Sequence, residues 1–451
     1  MKKFIQTLRN IWSIEDLKKR LMYTLGLILL YRFGSYVMLP GIDAALYNQA
    51  ANIDGDSGLL GLINLFAGGG FSRASIFALG IMPYISASIA MQLLAIAVPY
   101  FARMQKEGES GRRKMNQYTR YLTVIVTALQ ASGYYAYLNN LSQNADFIVA
   151  PNGLFWFICV IILTGGTLFT MWMGERITDK GIGNGISMLI MVGIIAGLPA
   201  ALLNEITHRG ADGGGGYIPF VLEIAFMVLV IMGVILLVQG TRRIPVQYAK
   251  RVVGSRQYGG VRQYIPLKIN AAGVMPIIFA QALMFIPGIF AQINPDWQNS
   301  PALVMLNDFQ SWGYNLIYGF LIIIFTYFYT AIIINPTQMA DDLKKNGGFI
   351  PGVKPGKKTA EFIDNVLSRV TLPGSIFLAL IAVAPVTTRA FGVDPSFAQF
   401  FGGTSLLIMV GVILDTLQQI ESHLLMRHYD GLMKSGRIKG RSSGPVSIQQ
   451  G

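Results

Sequence analysis

The side chains that could do chemistry are few and poorly placed for it. His208, His423, His428 and the single cysteine, Cys159, are scattered through 451 residues. There is no HExxH pair for a helix-borne zinc site, and one cysteine excludes a disulfide framework or a cysteine-based zinc site. GVKPGKKT at 352–359 has the residue types of a phosphate-binding loop but not its spacing: only Val353, Lys354 and Pro355 separate the glycines, and two lysines precede Thr359. DKGIGNGIS at 179–187 is glycine-rich but joins two apolar stretches rather than a strand and a helix, so it reads as a tight turn. Arg32, Glu223 and Asp415 lie inside long apolar stretches. Arg32 and Glu223 share a depth near one end of their stretches and Asp415 lies near the other end. They cannot meet at a midplane, where an ion-coupled transporter would place such groups. Arg32 and Glu223 are expected to pair structurally. No metal or cofactor is expected, and what is left is an apolar lining that closes a path by excluding water.

The elements that must position this lining follow from composition. Of the residues, 53% are hydrophobic and 13% charged, against about a quarter charged in soluble domains. Apolar windows at 21–38, 76–98, 121–138, 154–173, 186–203, 217–239, 274–293, 314–334, 371–388 and 400–420 are each 18 to 23 residues long. Each can cross a hydrocarbon core of about 30 Å, and only as a helix, because lipid offers the backbone no other partners. The expectation is an all-α polytopic membrane protein with ten spans, which excludes a soluble enzyme.

With ten spans both termini lie on one side, and the loops of that side hold 32 of the 36 Lys and Arg residues. Positive loops stay in the cytoplasm, so both termini are expected there. In residues 1–20, Phe4, Leu8, Ile11, Trp12 and Ile14 have the spacing of one helical face with charges between them, the pattern of a helix on the membrane surface. The apolar run GLLGLINLF, Gly58 to Phe66, is nine residues long, about 14 Å as a helix and too short to cross. Gly68, Gly69 and Gly70 tether it to the second span, which suggests a re-entrant piece stopping a cavity. Residues 240–273 contain Arg242, Arg243, Lys250, Arg251, Arg256, Arg262 and Lys268, no acidic residue, and interleaved tyrosines. Such a loop suits phosphate-rich RNA or an acidic protein surface. A second long loop spans 335–370.

The stretches PGIDAA (40–45), SRASIFALGIMPYISASI (72–89), KEGESGRRK (106–114), QYTRY (117–121), GERITDKGIGNGIS (174–187), RRIPVQYAKR (242–251), PLKINAAGVMP (266–276), NPTQMADDLKKNGGFIPGVKPGKKT (335–359) and FGGTSLLI (401–408) occur in order. Through them almost the whole chain resembles the SecY family, the channel subunits of the bacterial Sec protein translocase. The likeness is weakest in the outer loops and after residue 432.

The resemblance implies two inverted five-helix halves around a central pore, here 21–212 and 213–424, followed by a cytoplasmic tail at 425–451. It implies a passive protein-conducting channel in the bacterial inner membrane, driven by the ribosome, a motor ATPase or the membrane potential, that also releases apolar segments sideways into lipid. The family's constriction falls on Ile81, Ile85, Ile186, Ile190, Ile278 and Ile408. Its plug falls on 58–67, with Leu59, Leu60, Leu62, Ile63, Leu65 and Phe66. Its lateral gate, between the second and third spans and the seventh and eighth, takes in Ser86, Gln92 and Asn270. Docking of the motor SecA or the ribosome, including its RNA, falls on Arg242, Arg243, Lys250, Arg251, Arg256, Lys354, Lys357 and Lys358. Lys354 stands where the family usually carries arginine, so the charge is kept and the bidentate fork is not. The implied partners are SecE, SecG, SecA, the ribosome, secretory and membrane-protein substrates, and lipid. A solute transporter would need a polar midplane site, and an intramembrane protease a catalytic pair such as facing aspartates or serine with histidine; no histidine lies inside a span.

Overall fold

The computed structural model describes residues 14–51, 64, 66–142, 146–210, 216–248, 251–253, 256–258, 262–281, 283–284, 301–307 and 311–434. Among the described residues a helix covers most of each expected window, with non-helical residues only toward the window ends. The first span is Glu15–Gly34, the third Glu109–Ser142, the fourth Asn152–Lys180, the fifth Gly185–Gly210 and the sixth Tyr217–Gln239. The eighth is Trp312–Ile333, the ninth Lys357–Ala390 and the tenth Gly403–Lys434. Of the seventh, residues 275–281 and 283–284 are described and helical.

Two boundaries differ from expectation for local reasons. Phe4, Leu8, Ile11 and Trp12 of the expected surface helix lie outside the described residues, and residues 15–20 belong to the first span's own helix. Glu15 and Asp16 sit in its first turn, against the positive end of the helix dipole, and pair with Lys19 and Arg20 one turn on. The second span starts late, at Met82, after a run of turns through residues 67–81. It ends at Val98, where Pro99 turns the chain by 101° into a short helix, Pro99–Lys106.

Many large apolar side chains face outward, among them Leu29, Leu129, Ile218, Leu236 and Leu316. A surface of this kind is tolerable only against hydrocarbon. Inside, one apolar cluster packs the first half (Leu39, Phe71, Leu138, Phe155, Cys159) and another the second (Val234, Ile277, Tyr318, Leu378, Leu407). A third cluster lies between the halves.

The basic segment 240–273 was expected to be a loop and is a β-hairpin. Strand β1 (Thr241–Tyr248) pairs antiparallel with β4 (Arg262–Lys268) in the register Ile244↔Ile265, and β2 (Arg251–Val253) with β3 (Arg256–Tyr258) pair toward its tip. Strand β5 (Gly348–Phe349) joins β1 on its other side. Ile244 and Val246 alternate inward with Leu267, onto Leu343, Ile350 and Ile363 beside the base of the ninth span. Both long basic segments are thereby tied into one small sheet with its own core.

Candidate channel axis and lateral seam

The six isoleucines singled out from the sequence come from four spans and converge. Ile81 caps the second span's helix and Ile85 lies one turn on; Ile186 and Ile190 are one turn apart on the fifth; Ile278 is on the seventh and Ile408 on the tenth. Ile81, Ile190 and Ile408 are buried members of the central cluster, and Ile85, Ile186 and Ile278 are half-buried and packed against it. Phe66 is buried in the same cluster. The other expected plug residues, Leu59, Leu60, Leu62, Ile63 and Leu65, lie outside the described residues.

The chain after Phe66 is held by its backbone. Gly68 (φ +64°) and Gly69 (φ +82°) adopt left-handed conformations that glycine takes freely. Gly68 lies against Gly193 of the fifth span so closely that a Cβ added at Gly68 would stand 2.9 Å from the Gly193 Cα. Arg32 Nη1 donates to the Gly68 carbonyl at 2.9 Å, and the Arg73 guanidinium stacks over the Tyr36 ring at 4.3 Å. Tyr134 donates its hydroxyl to the Phe71 carbonyl and Tyr47 to that of Ser72, at 2.7 and 3.0 Å.

The expected Arg32–Glu223 pair does not form. Arg32 is engaged by the turn at Gly68, whereas Glu223 on the sixth span receives Arg209 Nη2 from the end of the fifth. Arg209 also donates through Nε to Glu205 at 2.8 Å, and Glu205 accepts the backbone amide of Asp394 at the same distance. Glu205, Arg209 and Glu223 are 0, 7 and 8% exposed. This buried triad joins the spans on either side of the connection between the halves. The fifth span's helix runs on to Gly210, past the apolar window, and so carries two charges that a hydropathy boundary leaves outside. Their i,i+4 spacing was the signal available.

On the opposite edge the halves meet through neutral groups. Gln92, on the second span, accepts a hydrogen bond from the Tyr329 hydroxyl on the eighth and donates to Ser88 at 3.4 Å. Around it Ile89, Phe279 and Tyr329 bury one another, with Ile85, Ile278, Phe325 and Phe328 alongside. Phe279 meets Tyr329 edge-on with ring centroids 4.8 Å apart. Tyr329 escaped the sequence reading because its ring is apolar at helical spacing and only its hydroxyl marks it. Ser86 is half-buried on the helix of Gln92. Asn270 is buried beside the foot of the hairpin, and its Oδ1 has no hydrogen-bond partner among the described residues. Those two are not brought into hydrogen bonding with Gln92.

Arg242 and Arg243 are exposed on β1, and Lys354, Lys357 and Lys358 are exposed beside β5, Lys358 reaching Glu361 at 3.1 Å. The backbones of Arg251 and Arg256 lie on β2 and β3; Lys250 lies outside the described residues. The glycine-rich segment 181–184 is a tight turn between the fourth and fifth spans. It is fixed by Ile182 N to Thr24 Oγ1 at 3.2 Å and Gly183 N to Gln419 Oε1 at 2.9 Å.

Residues 75–417 match the SecY family model. The chain is 45% identical over 433 residues to the protein translocase subunit SecY of Streptomyces scabiei, covering 94% of this chain and 98% of that one. It is 44% identical over 447 residues to the same subunit of Mycobacterium tuberculosis H37Rv, covering 96% and 99%. The chain belongs to the SecY family. It is accordingly a multi-pass membrane protein and the protein-conducting channel of a translocase, with no reaction of its own. The fold agrees with two solved structures. "The structure of a protein conducting channel" matches with TM-score 0.60 at 17% identity, over 94% of this chain and 95% of that one. "Sec61 in the Canine ribosome-channel complex from the endoplasmic reticulum" matches with TM-score 0.56 at 15% identity, over the same shares.

Proposed function

We propose that Ile81, Ile85, Ile186, Ile190, Ile278 and Ile408 are the constriction through which this SecY channel passes an unfolded polypeptide, and that Phe66 and the apolar residues before it are the plug that seals it. The observation that carries the reading is the convergence of six isoleucines from four spans, together with Phe66, in one apolar cluster between the halves. Short apolar side chains suit the task. They hold water out when no chain is present, and they offer a passing peptide no hydrogen bond that would bind it.

Lateral release follows from the seam. Among the described residues its contacts are apolar faces and one neutral hydrogen bond, so an entering apolar helix replaces like with like and the cost of separating the faces is largely offset. The path lies between the second and third spans on one side and the seventh and eighth on the other. Gln92 acts there through Tyr329, with Ser86 and Asn270 as further polar positions.

The three-stranded sheet and its exposed Arg242, Arg243, Lys354, Lys357 and Lys358, extended by Lys250, Arg251 and Arg256, are the docking face for SecA and for ribosomal RNA and protein. Supporting this are the concentration of basic residues on one side and the rigid core beneath them. The same asymmetry supports cytoplasmic termini, and membership of the SecY family supports the bacterial inner membrane as the location and SecE and SecG as companion subunits.

The test is cross-linking from a cysteine placed at Ile278 or Ile85, with Cys159 replaced, to a secretory chain stalled in transit. A cross-link that requires both a signal sequence and the motor or ribosome is the expected result. Its absence while the chain is demonstrably engaged would show the constriction to be elsewhere.

A further inference from the structure

The second half contains a partly open cavity, mostly apolar but with several polar side chains in its wall, that the conduction path does not use. It has a volume of about 80 Å³ and lies among the seventh, eighth, ninth and tenth spans, lined in part by Gln281, Tyr318, Arg389, Gln399, Thr404 and Ser405. By the space one water needs, about 10–15 Å³ on this measure, it has room for roughly five to eight waters or one small oxyanion. It lies toward the end of the bundle opposite the basic sheet: Tyr314 and Asn315, also in its wall, are in the first turn of the eighth span, and Arg389 is in the last turn of the ninth.

Its polar groups are under-used. Gln281 and Tyr318 are 6 and 7% exposed and Thr404 is 4% exposed, and among the described residues their side chains make no hydrogen bonds. Ser405 donates to the Gln399 carbonyl, and Asn315 donates to the Ser311 carbonyl. Arg389 makes one long bond, from Nη2 to the Pro395 carbonyl at 3.4 Å, and its buried Nε has no partner among the described residues. The nearest carboxylate that faces it, Asp394, forms no ion pair with it within 4 Å among the described residues, and its Oδ1 accepts from the Ser396 amide. A half-buried guanidinium whose Nε is buried and unpaired, with Asp394 acting on it only from beyond ion-pair distance, beside uncommitted neutral donors and no carboxylate in the wall, is an arrangement a bound anion would complete.

We propose that this cavity binds a phosphate-type oxyanion, with Arg389 supplying the charge and Gln281, Tyr318 and Thr404 the neutral donors. The occupant would tie together the ends of the spans behind Ile278 and Phe279. Two sources carry that chemistry: the phosphodiester of a phospholipid in the adjacent leaflet, and inorganic phosphate from the aqueous side.

The experiment uses the intact translocase complex purified in detergent, as wild type and as Arg389→Gln, Gln281→Leu and Thr404→Val. The last two change shape little and guard against a misfolded arginine variant. Native mass spectrometry compares retention of phosphatidylglycerol with that of a glycolipid of the same chains lacking phosphate. Thermal unfolding compares sodium phosphate with sodium chloride at matched ionic strength. For a lipid source, wild type retains phosphatidylglycerol over the glycolipid, Arg389→Gln loses about tenfold of that preference and each neutral variant about threefold. For a free-anion source, phosphate raises the melting temperature of wild type and not of Arg389→Gln, with lipid retention unchanged. Equal behaviour of wild type and all three variants in both arms would overturn the proposal and leave the cavity to water.

Discussion

The two edges along which the halves meet are held by different forces. Where the fifth span gives way to the sixth, the contact is ionic and buried: Arg209 between Glu205 and Glu223, with Glu205 also holding the Asp394 amide. Where the second span meets the seventh and eighth, the contact among the described residues is neutral, with the Tyr329–Gln92 hydrogen bond set in aromatic and aliphatic packing. A neutral hydrogen bond contributes about 0.5–1.5 kcal/mol net, whereas breaking into a buried ion cluster costs about 3–5 kcal/mol because a charge is left unpaired. An apolar face can also be covered again by lipid or by another helix, and a stranded carboxylate cannot. On the proposed reading of the seam, the neutral edge is the one that parts and the ionic edge the one that stays closed.

The largest expected effect therefore comes from Arg209→Met, which strands two carboxylates at once. It should lower the stability of the complex by about 3–5 kcal/mol, read as a fall in thermal or denaturant midpoint. Glu223→Gln keeps the shape and removes one of two negative charges facing a single guanidinium, so it should cost far less. If the two variants fall equally, packing rather than charge holds this edge, and the contrast between the edges is lost.

Gly68 tests what lies between the edges. A side chain there would meet the Gly193 Cα at 2.9 Å and Arg32 Nη1 at 2.8 Å, on a residue with φ +64°. Gly68→Val should cost about 1–3 kcal/mol through strain and overpacking, and should weaken the seat of Phe66 rather than either edge. The readout is ion conductance of the resting channel in planar bilayers, expected to rise. A tight channel with unchanged conductance would mean that the Gly68–Gly193 contact does not hold the seal.

What the sequence made legible divides along similar physical lines. Hydropathy located the spans because a helix in lipid needs a long apolar run and little else. The six isoleucines could be picked out only through the family resemblance, since periodicity does not separate them from other core isoleucines such as Ile177 or Ile194, which share their cluster. The hairpin's strand signal is masked in the sequence by its many charges, yet Ile244 and Val246, and Ile265 and Leu267, alternate as strands should. The Arg32–Glu223 pairing failed because depth alone cannot say which helices are neighbours. It also left out partners in turns and helix extensions, the Gly68 carbonyl and Arg209, that no apolar window contains.

At the neutral edge, Tyr329→Phe removes the cross-seam hydrogen bond to Gln92 and keeps the ring packed on Phe279. The expected cost is about 0.5–1.5 kcal/mol, borne by the closed seam, so weakly hydrophobic signal sequences should be exported more readily. Gln92→Leu lacks the same bond, and a double-mutant cycle should show that the second substitution adds little to the first. Independent, additive effects would mean that the bond does not hold the seam shut.

The smallest effect serves as the internal control for the ionic edge. Arg120 and Glu175 form an ion pair at 2.7 Å between the third and fourth spans, with side chains 48 and 26% exposed. By distance alone this pair looks as strong as the one between Arg209 and Glu205. Water screens it, however, and hydrates whichever partner is left behind, so Arg120→Met should cost only about 0.2–1 kcal/mol. Measured beside Arg209→Met on the same complex, the identical substitution isolates burial as the variable. A several-fold difference in cost would assign the strength of the ionic edge to exclusion of water. Comparable costs would assign it to the geometry of the contacts, and the neutral seam would then owe its weakness to having few bonds rather than to their kind.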